Sequence, residues 1–231
     1  MTDFADAVLA PILELAAPEG DDAALDYGCG VGVLAFALAP HVASVHAIDA
    51  DPDVLREAER LQSELGLTNV TFSAADLCHL PFDDASFPLA ASSGALHRMS
   101  DPVRALRELR RVLAPGGRLV LEEAVVVEVT DRPFNELARL RDAGHWRHYR
   151  SEEYEQLFEQ AGLRLTASRQ VRHSVDLDYW VDAAQTPAHH ADMIRSRMRA
   201  LPVPAQMAMD VAFADRHVSF SYDAVVARLE R

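Results

Sequence analysis

At 231 residues, with 49% apolar and 25% charged side chains, the chain has material for one full α/β domain or for one domain carrying an appended lobe. Its formal net charge is −14 and all 22 of its basic residues are arginine, so a phosphate backbone would meet a repelling surface, and the densest basic run, Arg104 to Arg111, has the spacing of a solvated helix face. Two cysteines, Cys29 and Cys78, are too few for a disulfide framework, a zinc site or an iron–sulfur cluster; no apolar run reaches membrane-span length and no basic leader opens the chain, so the expected location is cytoplasmic.

Short apolar runs alternate with helical periods, the pattern of a mainly parallel sheet covered by helices. Residues 23–27 read as a first strand, 32–39 as a helix that stops at Pro40, and 44–49 as a second strand. Asp51-Pro52 opens the next helix, because aspartate accepts the orphan N–H groups of a first turn whose φ proline already fixes. Val54, Ala58, Leu61 and Leu65 form its apolar stripe, and Gly66 closes it. Strands are expected at 70–74 and 89–93, and Asp101-Pro102 repeats the helix-opening device with Val103, Leu106, Leu109 and Leu113 on one face. Pro115-Gly116-Gly117 then turns the chain into a fifth strand at 118–127. Helices follow at 134–144 and 151–161, a sixth strand at 163–171, helical periods at 177–184, 188–201 and 205–214, and a last strand from Val218 to about residue 227. No repeat or low-complexity linker intervenes, so one domain is expected over residues 1–231, with a helical insertion at about 176–215. Within that insertion Trp180, Met193, Met198, Met207 and Met209 have the spacing of core or lid packing around an apolar pocket.

The chemistry-bearing signal is the strand-to-helix turn Gly28-Cys29-Gly30-Val31-Gly32. Glycine there permits backbone angles closed to other residues and lets a ligand touch the main chain. Asp49 ends the next strand, 21 residues after Gly28, where a carboxylate can accept both hydroxyls of an adenosine ribose. Such a turn serves either NAD or a phosphate-free adenosine cofactor. The dinucleotide fingerprint G-x-G-x-x-G wants a third glycine where Val33 stands, which favours the phosphate-free cofactor. A nicotinamide-dependent oxidoreductase remains the alternative, beside a non-catalytic cofactor-binding protein.

Further motifs follow in order. They are Leu25-Asp26-Tyr27 leading into the turn, Ile48-Asp49, Ala75-Asp76-Leu77 with Leu80-Pro81-Phe82, Ala95-Leu96-His97 with Asp101-Pro102, and Arg111-Val112-Leu113-Ala114-Pro115-Gly116-Gly117-Arg118-Leu119. In this set the chain resembles the class I S-adenosylmethionine-dependent methyltransferases over about residues 25–162, and within them the small-molecule branch that includes the ubiquinone and menaquinone biosynthesis methyltransferases. The resemblance implies a doubly wound, Rossmann-like α/β fold whose seven-stranded, mainly parallel sheet ends in an antiparallel strand. It implies S-adenosyl-L-methionine as cofactor and a small organic methyl acceptor; the acidic charge and the lack of a long apolar run argue against nucleic acid and membrane as partners, and a monomer or homodimer is expected. The backbone of Gly28, Cys29, Gly30 and Gly32 would line the methionine portion of the cofactor, with Asp26 supporting the turn. Asp49 would bind the ribose hydroxyls and Ala50 would lie against the adenine. Asp76 would accept from the adenine amine beside the Leu77 N–H, and Ser92, Ser93 and Gly94 would face the reacting methyl. One departure is Pro88, where such proteins usually carry an acid just after the Phe87 position.

A sulfonium cofactor is already an activated electrophile, so the protein has chiefly to align an acceptor with the methyl. His97, after the fourth strand at the carboxyl edge of the sheet, is the candidate general base. His145, Trp146, His148 and Tyr149, between two expected helices, are candidates for the acceptor pocket, and Glu122 and Glu123 could reach the same cleft to meet a cationic or hydroxylated acceptor. His145 and His148 have no evident third ligand, so no metal is expected. His189-His190 reads as solvated.

Overall fold

Four of the five residues of Ala23–Tyr27 (β1) are buried, as a strand covered on both faces requires, and the sheet grows outward from it. The computed structural model describes residues 2–214 and 217–231, without the side chains of residues 2–7. On one side β1 pairs in parallel with Ser44–Asp49 (β2), which pairs with Val70–Ala74 (β3); on the other it pairs with Phe87–Ser93 (β4), which pairs with Leu113–Val125 (β5). Arg164–Asp176 (β6), Ala212–Ala214 (β7) and His217–Glu230 (β8) complete the sheet. Its order is β3-β2-β1-β4-β5-β8-β6, with β8 antiparallel to both of its neighbours and β7 attached to β8. The direction of strand growth reverses between β1 and β4, and in such sheets the crevice beyond the carboxyl ends of those two strands is where ligands bind.

Alternation along β1 divides the core. Ala24 packs with Ile12, Leu34, Leu38, Val45 and Leu89 on one face of the sheet, under Thr2–Ala16 (α1), Val33–Leu38 (α2) and Pro52–Leu65 (α3). Leu25 and Tyr27 pack with Leu106, Leu109, Tyr154 and Phe158 on the other. That second face is covered by Pro102–Val112 (α4) and Ser151–Ala161 (α6), on either side in sequence of Glu128–Arg141 (α5). A third cluster joins α5 to Leu177–Ala183 (α7), Ala188–Arg199 (α8) and β8 through Phe134, Trp180, Ile194, Met198 and Phe220. It holds Met209 as well, just past Val203–Ala208 (α9), whereas Met207 is 73% exposed. No helix among the described residues is long and apolar enough to cross a membrane.

Both Asp-Pro openings cap their helices, Asp51 accepting from the Asp53 N–H and Asp101 from the Arg104 N–H. Several boundaries differ from the sequence reading, each for a local reason. The helix expected from 134 starts at Glu128, because the Thr130 hydroxyl accepts the Val127 N–H and closes the first turn ahead of Pro133. The helix expected at 205–214 stops at Ala208: Asp210 has φ +45°, and the chain then turns into β7. The sixth strand, expected to end at 171, runs to Asp176 because β8 pairs with it along its length, as far as Ser219. The fifth strand begins at Leu113 rather than 118, and its register against β4 breaks between Phe87 and Leu89. Pro88, which has no N–H to give a ladder, sits at that break.

Helix α1, which the sequence reading did not assign, is tied to the sheet by charge. Arg118 on β5 donates to the carbonyls of Ala16 and Ala17 and to the carboxylate of Asp22, and both ionic side chains are buried. Removing one partner of a buried pair leaves an uncompensated charge, a loss of about 3–5 kcal/mol. Asp22→Ala is therefore expected to lower the urea midpoint by a stability change of that size with an unaltered m-value; a change below about 1 kcal/mol would show that the pair contributes nothing.

Candidate active site

The turn after β1 holds three glycines at positive φ, Gly28, Gly30 and Gly32. Gly28 has φ +69°, and a β-carbon there would stand 2.6 Å from the Ala95 β-carbon, so this turn and the one after β4 touch backbone to side chain. Gly30 has φ +52° with open space around it, so its constraint is the backbone angle alone. Its N–H donates to Asp49 Oδ2 at 2.9 Å, and the Asp51 N–H donates to Asp49 Oδ1 at 3.0 Å. Both carboxylate oxygens are thus fixed at the end of β2 while each keeps lone-pair capacity for a ligand.

A cleft of about 520 Å³ opens here, lined by Gly28, Asp49, Ala50, Asp76, Leu77 and Gly94. Asp76 Oδ1 accepts the Cys78 N–H at 2.8 Å, so this carboxylate too is held by its own loop. A second cavity of about 260 Å³ continues past Gly28 and is lined by Asp26, Cys29, Ser93 and Tyr179. Asp26 is buried and its Oδ2 has no hydrogen-bond partner. Burial, with repulsion from Asp49 added, pushes its carboxyl up to about 7 against the pull of the Ala35 N–H. Burial also pushes the Cys29 thiol up, away from nucleophilic use. Ser92 donates its hydroxyl to the Tyr27 carbonyl at 2.7 Å and is buried, which makes it a strut between β1 and β4. Gly32 abuts the rings of Phe36 and Phe72 at the start of α2. Together these residues fit an adenosine cofactor without phosphates: fixed acceptor oxygens at one end, an unsatisfied buried acceptor at the other, and bare backbone between.

A third cavity, of about 180 Å³, shares Gly94 with the first and Tyr179 with the second as lining residues. His97 lines it, with ring Cε1 3.5 Å from where a Gly94 β-carbon would stand. His97 Nδ1 lies 3.2 Å from Glu123 Oε2, and Glu123 Oε1 accepts the Leu96 N–H at 2.6 Å. A carboxylate only accepts, so neutral His97 carries its proton on Nδ1 and leaves Nε2 as an acceptor. His145 and His148 also line the cavity, their rings 5.3 and 4.8 Å from that of His97. Asn135 Oδ1 accepts from His145 Nε2 at 2.9 Å and from the His148 N–H at 2.7 Å. Burial, reinforced by the neighbouring His97, pushes His145 down to about 3 and His148 well below its ordinary value, so both are neutral near pH 7. No group of metal-ligating side chains forms among the described residues.

Of the four residues expected in the acceptor pocket, two line this cavity and two do not. Trp146 is 54% exposed and reaches His97 only through its backbone N–H. Tyr149 is buried in the main core against Tyr154. Glu122 lines the cavity and Glu123 stands behind His97. Phe134, Arg141 and Tyr222, none of them a candidate from the sequence, also belong to the lining, as do Asp142 and Trp180. The one available signal was the seven-residue spacing of Phe134 and Arg141, which puts both on one helix face.

A family model described as a methyltransferase domain matches residues 25–121. YcgJ, an uncharacterized methyltransferase of Bacillus subtilis (strain 168), is 33% identical over 172 residues, covering 74% of this chain and 68% of YcgJ. The crystal structure of YcgJ superposes with a TM-score of 0.90 at 27% identity over 97% of each chain. An uncharacterized methyltransferase of Mycobacterium tuberculosis (strain ATCC 25618 / H37Rv) is 34% identical over 147 residues, 59% of this chain and 71% of the relative. The glycine turn left NAD and a phosphate-free cofactor open; the kinship settles it for S-adenosyl-L-methionine. Sheet order, glycine turn and relatives agree that the chain belongs to the class I S-adenosylmethionine-dependent methyltransferases.

Proposed function

We propose that this methyltransferase acts on a small organic acceptor seated in the His97 cavity. The observation that carries the reading is a cavity of about 180 Å³ walled by aromatic side chains, which shares Gly94 with one cofactor cleft and Tyr179 with the other. In this reading Asp49 takes the ribose hydroxyls, Ala50 and Leu77 flank the adenine, and Asp76 accepts from its exocyclic amine. Asp26 and Ser93 lie beside the methionine portion, where the unpaired Asp26 oxygen meets the ammonium. Aligning the acceptor with the methyl supplies most of the rate, and His97, oriented by Glu123, receives a proton when the acceptor has one to lose. A cavity of this size, in a chain of net charge −14, suits a metabolite rather than a polynucleotide.

Incubating the protein and a cell extract with methyl-labelled S-adenosylmethionine is expected to place label in small molecules, seen by mass spectrometry of the low-molecular-weight fraction. Label confined to RNA or protein would overturn the small-acceptor assignment. The two glycines should separate in their effects. Gly28→Ala meets a hard contact and a positive φ, so loss of S-adenosylhomocysteine binding with destabilisation of about 2–4 kcal/mol is expected; Gly30→Ala meets only the strained φ and should lose about 1 kcal/mol. Equal effects in thermal unfolding would contradict the Gly28–Ala95 contact.

Asp26 gives a pH signature. Its folded pKa of about 7 lies above the ordinary 3.8, so the folded state holds the proton more tightly. The corresponding stabilisation is full below about pH 4 and is lost as pH rises through 7, a swing on the order of 4 kcal/mol. Relative to Asp26→Asn, the wild type should lose stability between pH 4 and 8. S-adenosylhomocysteine should bind the wild type more tightly over the same rise, as the carboxylate ionises opposite the ligand ammonium. A pH-independent difference between the two proteins would exclude this ionisation.

A further inference from the structure

The acceptor cavity holds a cation with an incomplete set of partners. Arg141, the last residue of α5, lines it; its Nε donates to the Trp180 carbonyl at 2.8 Å and its Cζ stands 4.8 Å from the Trp180 ring centroid. Among the described residues no carboxylate pairs with its guanidinium, although Arg132, Arg147 and Arg150 nearby in sequence each hold one. The adjacent Asp142 is engaged elsewhere, by Arg98 and by the Gly144 N–H. Burial pushes the Arg141 guanidinium down more than the field of the neighbouring Asp142 carboxylate raises it.

The other anion of the cavity is already served. Glu122 Oε2 accepts the Ser93 hydroxyl at 2.8 Å, and Oε1 lies 3.6 Å from His173 Nε2. The walls are flat: Phe134 stacks with Trp180 and with Tyr222, each at 6.0 Å between centroids. An apolar cavity of about 150 Å³ takes one benzene ring, so about 180 Å³ holds a single ring with small substituents.

We infer that the acceptor is a single-ring hydroxy acid whose carboxylate is read by Arg141, whose ring lies along Phe134, Trp180 and Tyr222, and whose hydroxyl faces His97. The inference rests on the methyl-transfer reading of this cavity. A planar guanidinium matches a carboxylate with two parallel hydrogen bonds, a geometry that an amide cannot reproduce. In the transfer, the hydroxyl oxygen bonds the methyl carbon as the carbon–sulfur bond breaks and its electron pair passes to sulfur. The hydroxyl proton goes to His97 Nε2 and from there to water, leaving a methyl ether and S-adenosylhomocysteine.

The test is calorimetric binding of ortho-, meta- and para-hydroxybenzoate, the matching hydroxybenzamides and tyramine to the full chain saturated with S-adenosylhomocysteine. At least one acid is expected to bind about tenfold or more tightly than its amide, and to yield a labelled methyl ether when labelled S-adenosylmethionine replaces the product. Arg141→Met is expected to shrink the acid-to-amide ratio to below about twofold while S-adenosylhomocysteine affinity is retained. Acids that bind no better than amides, or tyramine binding more tightly than both, would overturn the inference on the wild type alone, whatever the variant does. Preference for the acid without ether formation would keep the Arg141 subsite and remove the hydroxyl from His97. Failure of S-adenosylhomocysteine itself to bind would strike the methyl-transfer reading, and this inference with it.

Discussion

The ends of β1 and β4 come so close at Gly28 and Ala95 that a single β-carbon would not fit between them. That approach brings the glycine turn against the loop that carries His97 and so decides where the cofactor clefts and the acceptor cavity meet. Glycine loses more backbone entropy on folding than any other residue, and at Gly28 the loss is offset by a contact open to no other side chain. Asp49 depends on the same turn, since the Gly30 N–H fixes one of its oxygens. The proposed sites for adenosine, methyl and acceptor thus share one steric condition.

The cofactor half was legible in the sequence because its devices are local. A glycine at a positive φ, an acid at a strand end and an Asp-Pro helix opening each act within a few residues, and the strands 23–27, 44–49 and 70–74 emerged with their bounds intact. Ser92 is the local exception: strand alternation turned its hydroxyl to the Tyr27 carbonyl. The acceptor half was less legible because its parts meet only in three dimensions. Arg141 and Tyr222 are eighty-one positions apart and line one cavity, and no period or spacing marks such a pair. Trp146 and Tyr149 share the segment between α5 and α6 with His145 and His148, yet one faces water and the other the core. Which way a loop side chain points is set by its packing partners, and those lie on α5 and α6.

The three imidazoles illustrate how one cavity separates roles among identical side chains. Asn135 commits its carbonyl oxygen to both His145 and the backbone of His148, and burial holds both rings neutral. Only His97 has a carboxylate behind it. An orienting acceptor on one nitrogen frees the other to receive a proton; His145 has one in Asn135 Oδ1, but burial disfavours its charged form, and of the three rings His97 alone has a carboxylate in that place.

The family match ends at residue 121, and the cavity lining beyond Gly94 and His97 begins at Glu122. Most residues around the Gly28 turn thus come from the first half of the chain and most of the His97 cavity lining from the second, with Tyr179 bordering both. Of the helices between β6 and β8, α7 alone among the described residues lines the His97 cavity, through Tyr179, Trp180 and Ala183. Change at Trp180 or Ala183 can reshape the His97 cavity while the Gly28 turn stays as it is, whereas Tyr179 lines the cavity beside Gly28 as well, so that a change there is felt on both sides.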